Sequence, residues 1–185
     1  MMKKSYIIGV LTIIFFVALF AYTIHIKNVA NHYADYINER LDNLIKPSES
    51  YIYQADKFIK NALNSKQIST DDVEILASLY GEAVTNIESL ESIELFVRET
   101  QQFGEPSKRT LFTVQNNIRN LQSKGKVVEL TSSQMKFFQE INKMNRDLLT
   151  VLKPTLQQQY QVKEDHWITV LKQMDNVTQK YYDLF

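Results

Sequence analysis

Residues 6–26, YIIGVLTIIFFVALFAYTIHI, carry no formal charge, and this run constrains the chain more than any other stretch in it. At about 1.5 Å of rise per residue, a helix of that length covers roughly 30 Å, the hydrocarbon thickness of a bilayer. The apolar region of a secretory signal is shorter, about 7–15 residues, and precedes a small-x-small cleavage site. Ala18 and Ala21 are spaced one residue too far apart for such a site, and bulky Leu19 lies two places before Ala21. The run therefore reads as an uncleaved signal anchor, a single membrane span. Lys3 and Lys4 precede it, whereas only Lys27 and Arg40 follow closely. The excess of positive charge before the span places the N-terminus in the cytoplasm and the rest of the chain outside. Tyr6 and Tyr22 lie near its two ends, where amphipathic rings prefer the headgroup level. Ser5 and Gly9 form one small-xxx-small pair, a weak helix-dimerisation signal.

Two segments follow: a short cytoplasmic tail plus anchor over 1–26, and an extracytoplasmic domain over 27–185. The second is long enough to bury a core of its own. The sequence has no cysteine, which excludes disulfides, thiolate metal sites and cysteine nucleophiles, and suits a bacterial extracytoplasmic protein. With 4 glycines and 3 prolines there is little turn chemistry for β-hairpins, so the expected class is all-α.

The apolar periodicity fills in that class. Val29, Tyr33, Tyr36, Ile37, Leu41, Leu44 and Ile45 continue the anchor at helical spacing. Pro47 kinks or stops this run, and Ile52, Ala55, Phe58, Ile59, Ala62 and Leu63 carry the same phase beyond it. A new helix starts with Ser69 as N-cap, Asp72 three residues on, and Ile68 against Val73 as a hydrophobic staple. Its stripe, Val73, Leu76, Leu79, Tyr80, Ala83, Ile87, Leu90, Ile93, Phe96 and Val97, predicts a helix to about Gln102. Gly81, inside it, reads as a close helix contact. After Pro106 comes a helix with Leu111, Val114, Ile118 and Leu121 on one face and Gly125 as its C-terminal cap. Thr131 and Gln134 form a capping box that launches Phe138, Ile141, Met144, Leu148 and Leu152, up to Pro154. Leu156, Tyr160, Lys163, Trp167, Val170, Met174, Val177, Tyr181 and Leu184 then alternate steps of four and three, a coiled-coil heptad. The architecture expected is one N-terminal transmembrane helix followed by an elongated up-and-down helical bundle with coiled-coil-like packing.

Net charge is zero but unevenly spread. Residues 68–105 hold one basic and nine acidic groups, and residues 106–185 hold twelve basic and seven acidic ones. Acidic and basic helices joined by a short connection suit one another better than they suit nucleic acid, which requires a basic face without an acidic neighbour. The expected pairing sets Glu91, Glu94 and Glu99 against Lys108, Arg109 and Arg119, with Lys124 and Lys126 extending the basic run.

Candidate chemistry is sparse. His25, His32 and Glu39 recur every seven residues with Asp35 a turn away, but a straight helical row spreads ligands about 10 Å apart per heptad and does not converge on one metal. Glu164, Asp165 and His166 are consecutive and point in different directions on a helix. Met135, Phe137, Phe138, Met144, Trp167 and Met174 recur at core spacing. No glycine-flanked nucleophile, phosphate-cradling loop or H-E-x-x-H helix is present. No catalytic, cofactor-binding or metal-binding residues are assigned, and no cofactor is implied. The sequence reads as a membrane-anchored, non-enzymatic helical protein acting through protein contacts or self-association in the cell envelope, as an assembly factor or scaffold. The second reading is an extracytoplasmic sensory or ligand-binding helical module of a signalling or transport system.

Overall fold

The computed structural model describes residues 2–100, 102–121, 126–157 and 159–185, with side chains except in 2–7 and at 155. Among them are five α-helices, α1 (Met2–Ser65), α2 (Thr70–Arg98), α3 (Glu105–Arg119), α4 (Ser132–Leu152) and α5 (His166–Gln179), and two short strands, β1 (Gln67–Ser69) and β2 (Val127–Glu129). Helix makes up 84% of the described residues. The chain divides into two compact units, Met1–Ile37 and Asn38–Phe185.

The first unit is the N-terminal part of α1. Its most apolar 18-residue window has a mean hydropathy of 2.2 and none of it is buried, so by length and composition it is a candidate membrane span.

The second unit is a helical bundle whose strand-like order of directions can be followed from its cross-links. The last part of α1 meets α2 where Asn86 Nδ2 donates to the Leu44 carbonyl at 3.1 Å, and α2 runs back antiparallel. α3 reverses again, with Gln115 beside Ala77 and Lys108 beside Glu91. α4 returns, carrying Asn142 to Asp56 at 2.7 Å, and α5 reverses once more, so that Tyr181 reaches Asp147 at 2.7 Å. Trp167, Tyr80, Tyr160 and Phe138 are the largest fully buried side chains, packed with Leu41, Ile45, Ile52, Ile59, Leu76 and Ile87. Fully burying such an aliphatic side chain contributes about 1.5–3 kcal/mol, and this is the main force assembling the bundle.

Both expected helix starts are present. Ser69 accepts from the Asp72 N–H at 3.0 Å, and Thr131 and Gln134 make the reciprocal capping box. α1 passes through Pro47 without stopping. Proline removes one helical donor and crowds the preceding turn. That turn is braced by Ser48 Oγ, which donates to the Leu44 carbonyl at 2.7 Å, and by Asn86 from α2 on the same carbonyl.

The expected all-α class is found, with one addition among the described residues: β1 and β2 pair antiparallel with Ile68 opposite Val128. No hairpin turn was required, since the strands come from segments far apart in sequence. Lys66, at a left-handed φ of 57°, turns the chain out of α1, and its carbonyl accepts from the Leu130 N–H at 2.9 Å. Three expectations about single elements need correction. First, α2 ends at Arg98 rather than Gln102. Glu99 adopts φ 56° and closes the helix onto the Leu95 carbonyl, leaving Phe96 73% exposed and Val97 outside the core. Second, the heptad of residues 156–184 is not one helix: a 3-10 turn (Lys153–Gln157) and a non-helical stretch precede α5. Leu156 and Leu184 are exposed, and only the positions from Trp167 to Tyr181 are continuously buried. Residues 160–162 are held instead by α1, with the Tyr160 and Val162 N–H groups donating to Asp42 and Asn38. Third, α3 starts at Glu105 and ends at Arg119. The expected cap at Gly125, and Lys124, lie outside the described residues.

Candidate functional site

The densest polar cluster in the bundle lies where α2 turns into α3. α3 begins at Gly104 without a side-chain cap of its own, and Pro106 sits in its first turn. The first turn of any helix presents orphan N–H groups. Here they are taken up by Asp175, from the middle of α5: one carboxylate oxygen accepts from the Gly104 N–H at 2.7 Å, the other from the Ser107 N–H at 3.1 Å and Ser107 Oγ at 2.7 Å. A carboxylate at a helix N-terminus also meets the positive end of the helix dipole. Glu94 treats the preceding loop the same way, accepting from the Gln102 and Phe103 N–H groups at 3.1 and 3.3 Å. Glu91, Glu94 and Asp175 are all at least nine-tenths buried.

Lys108 joins this cluster, 3.0 Å from Glu91 and 2.5 Å from Glu105. Glu105 and then Glu91 hold its ammonium above the usual lysine range. Lys108 first, and Arg109 second, hold the Glu105 carboxyl below the usual range. Gly104 has φ 104°, and a Cβ there would lie 2.7 Å from the Glu91 side chain, so glycine is required twice over. Chemically, the arrangement is a latch. Each carboxylate faces fixed donors from a different element, which ties α2, α3 and α5 together.

A second buried set runs between α1, α2 and α4. Asp56 accepts from Asn142 and pairs with Lys60, while Tyr80 donates to Asn145 Oδ1 at 2.9 Å. Burial pushes the Tyr80 hydroxyl far above its ordinary value, with the Asp56 charge adding to this and the Asn145 bond opposing it. Tyr80 is therefore a permanent neutral donor.

Of the pairing expected between the acidic and basic helices, Lys108 with Glu91 is found. Arg109 instead pairs with Glu105 in its own helix at 2.8 Å, Glu94 faces the loop, and Glu99 is exposed. Arg119 lines an open cleft of about 320 Å³ with Glu74 and Ser78 of α2. His25, His32, Asp35 and Glu39 lie exposed along α1, and among the described residues no three His, Asp or Glu side chains are grouped to hold a metal. Glu164, Asp165 and His166 are exposed at the start of α5, where Asp165 pairs with Arg98 and His166 stacks on Tyr160. Phe138, Met144, Trp167 and Met174 are core, whereas Met135 and Phe137 are half-buried.

Asp175 and Ser107 escaped the sequence reading, and Glu94 was expected to face the basic helix rather than the loop. A signal existed: the α3 start has neither Ser, Thr, Asp nor Asn at its N-cap, so its partner had to come from elsewhere, and Asp175 is an acid flanking buried positions of α5. Comparison with protein-family models, curated proteins and solved structures finds no match to this chain.

Proposed function

We propose that this chain is a membrane-anchored, non-enzymatic helical protein that acts through protein contacts in the cell envelope, with a cytoplasmic N-terminus and its bundle outside. The observation carrying this reading is the first unit: an 18-residue window of mean hydropathy 2.2 with every residue exposed. Ile13, Phe16, Val17 and Phe20 are each more than 60% exposed. In water such a surface costs about 25 cal/mol for every Å² left uncovered, and a bilayer removes that cost along the whole segment. The core helix of a soluble protein that passes the same composition test is mostly buried, and none of this window is.

Two features support contact rather than chemistry as the work of the bundle. Its buried carboxylates are engaged by backbone N–H groups and Lys108, as a structural latch requires, and its surface keeps large apolar side chains, Leu95, Phe96 and Phe112, more than half exposed. The test is topological. Protease added to intact protoplasts is expected to digest the chain from Lys27 onward, and membrane flotation to carry the full-length chain with the lipid. A chain that resists protease while an exposed marker is degraded, or that stays in the soluble fraction, refutes the reading.

A further inference from the structure

Past the uncharged run, α1 continues for eleven residues before Asn38, and this stretch carries an apolar row that nothing in its own unit covers. Tyr22, Ile26, Val29, Tyr33 and Tyr36 follow one another by steps of four, three, four and three, the spacing that keeps a single seam along a supercoiled helix. Their exposures are 64%, 48%, 41%, 62% and 62%. Continued by the same steps, the frame reads Arg40 and Asn43, both exposed, so the row ends where the bundle begins.

Hydrocarbon cannot cover the part beyond Ile26, because Lys27, Asn28, Asn31 and Asp35 interrupt it on the other faces. What fits is a helix with a matching apolar row at the same height. We infer that residues 22–36 of α1 form a parallel coiled-coil seam with the same residues of a second copy of this chain.

Three observations favour a second copy over a different protein. The positions flanking the seam are His25, Ala30, His32 and Ile37, which carry no formal charge at neutral pH, so two identical chains in parallel register meet no like-charge repulsion there. Heteromeric coiled coils select their partners by charges at those very positions, and this helix has none until Glu39. Two copies anchored in one membrane with one orientation also bring their rows to the same height, which lowers the orientational cost of association. Finally, the area suffices. With about 150–250 Å² per buried aromatic, three tyrosines exposed by more than three-fifths plus Ile26 and Val29 give roughly 500 Å² per chain, or about 1,000 Å² in the pair, the lower bound for a specific interface.

The inference deepens the anchored reading above and rests on it, and the experiment separates the two. The chain has no native cysteine, so single cysteines can be placed without background. Full-length Val29→Cys, Tyr33→Cys and Tyr36→Cys, with Asn31→Cys and Ala34→Cys off the seam, are reconstituted dilutely in lipid vesicles, floated, and oxidised with copper phenanthroline. The seam positions are expected to form disulfide-linked dimers about tenfold faster than the off-seam positions, because only there do the Cα atoms of two copies come within bridging distance. Tyr33→Glu with Tyr36→Glu is expected to convert two-step photobleaching of labelled chains into single-step, with the bundle's circular dichroism unchanged. Floated chains that cross-link with no period, or a double variant that stays dimeric, overturn the seam and leave the anchor standing. Cross-links in native membranes that go to a different protein overturn it as well. Failure to float overturns both.

Discussion

Asp175 sits beside Met174 in a helix otherwise read as an apolar heptad, and it closes the start of a helix about seventy residues earlier. Its replacement tests the latch most directly. Asp175→Ala leaves two buried backbone donors without an acceptor and the Ser107 hydroxyl with Thr178 alone, and is expected to destabilise the bundle by about 2–4 kcal/mol in thermal unfolding followed at 222 nm. Asp175→Asn, which keeps one acceptor, should lose less. Lys108→Met strands Glu91 without its ammonium, at an expected cost of about 1–3 kcal/mol. Arg109→Glu, by contrast, changes an exposed guanidinium that meets Glu105 and Tyr182 at the surface, and should shift the midpoint far less than Lys108→Met. The pH dependence has a definite sign. Glu105 is held below its ordinary value of about 4.3, so its contribution is present above that pH and is lost as pH falls through the lowered folded value. Lys108 is held above about 10.4, so its contribution is present below that pH and lost as pH rises through the raised folded value. The two together predict a stability plateau across neutral pH, with the acid-side loss small because Glu105 is 45% exposed and screened. An unfolding midpoint measured from pH 3 to 11 checks this, and Glu105→Gln should flatten the acid limb and also reduce the alkaline one, because Glu105 is the first partner holding the Lys108 ammonium up.

The α2–α3 pair is where local propensity and packing pull apart. Gly81 in mid-helix forgoes about 1 kcal/mol relative to alanine. A Cβ there would lie 2.5 Å from Gln115 Nε2, the group that donates to the Ala77 carbonyl at 3.1 Å across the interface. Gly81→Ala is therefore expected to destabilise by about 1 kcal/mol despite the better helix former, because the displaced amide loses a buried bond worth more than the propensity gain. In combination with Gln115→Ala the two changes should be markedly less than additive, since the second removes what the first displaces. Additivity in that cycle would mean that the close approach at Gly81 has no energetic role. Pro47 offers the complementary case. Proline ordinarily costs a helix interior about 3 kcal/mol, yet α1 runs through it where Asn86 and Ser48 both donate to the Leu44 carbonyl. Asn86→Leu should therefore be more harmful with Pro47 present than in a Pro47→Ala background.

At the scale of the whole chain, each part that could be read before folding is governed by local rules. The uncharged run, the capped starts at Ser69 and Thr131 and the helices that follow them all depend on residues within a turn or two of one another, and the structure contains each of them. The close contact at Gly81 was legible for the same reason: glycine in mid-helix has few other uses. Tertiary structure alone decided the rest. Nothing near Glu91 or Glu94 in sequence marks them as buried and Phe96 as exposed; that inversion follows from the chain closing α2 at Glu99 and folding the next loop back onto Glu94. The pairing of β1 with β2 needed no turn residues, because the strands are brought together by the helices they join. The heptad over residues 156–184 misled because its outer positions have no partner helix to pack against, while Asp42 and Asn38 offered the backbone of the intervening stretch hydrogen bonds that a continued helix would not have used. A polar side chain's partner lies wherever topology places it. Periodicity, which reports only the face a residue occupies on its own helix, determined the elements of this protein, and long-range hydrogen bonding of buried charge determined how they lock.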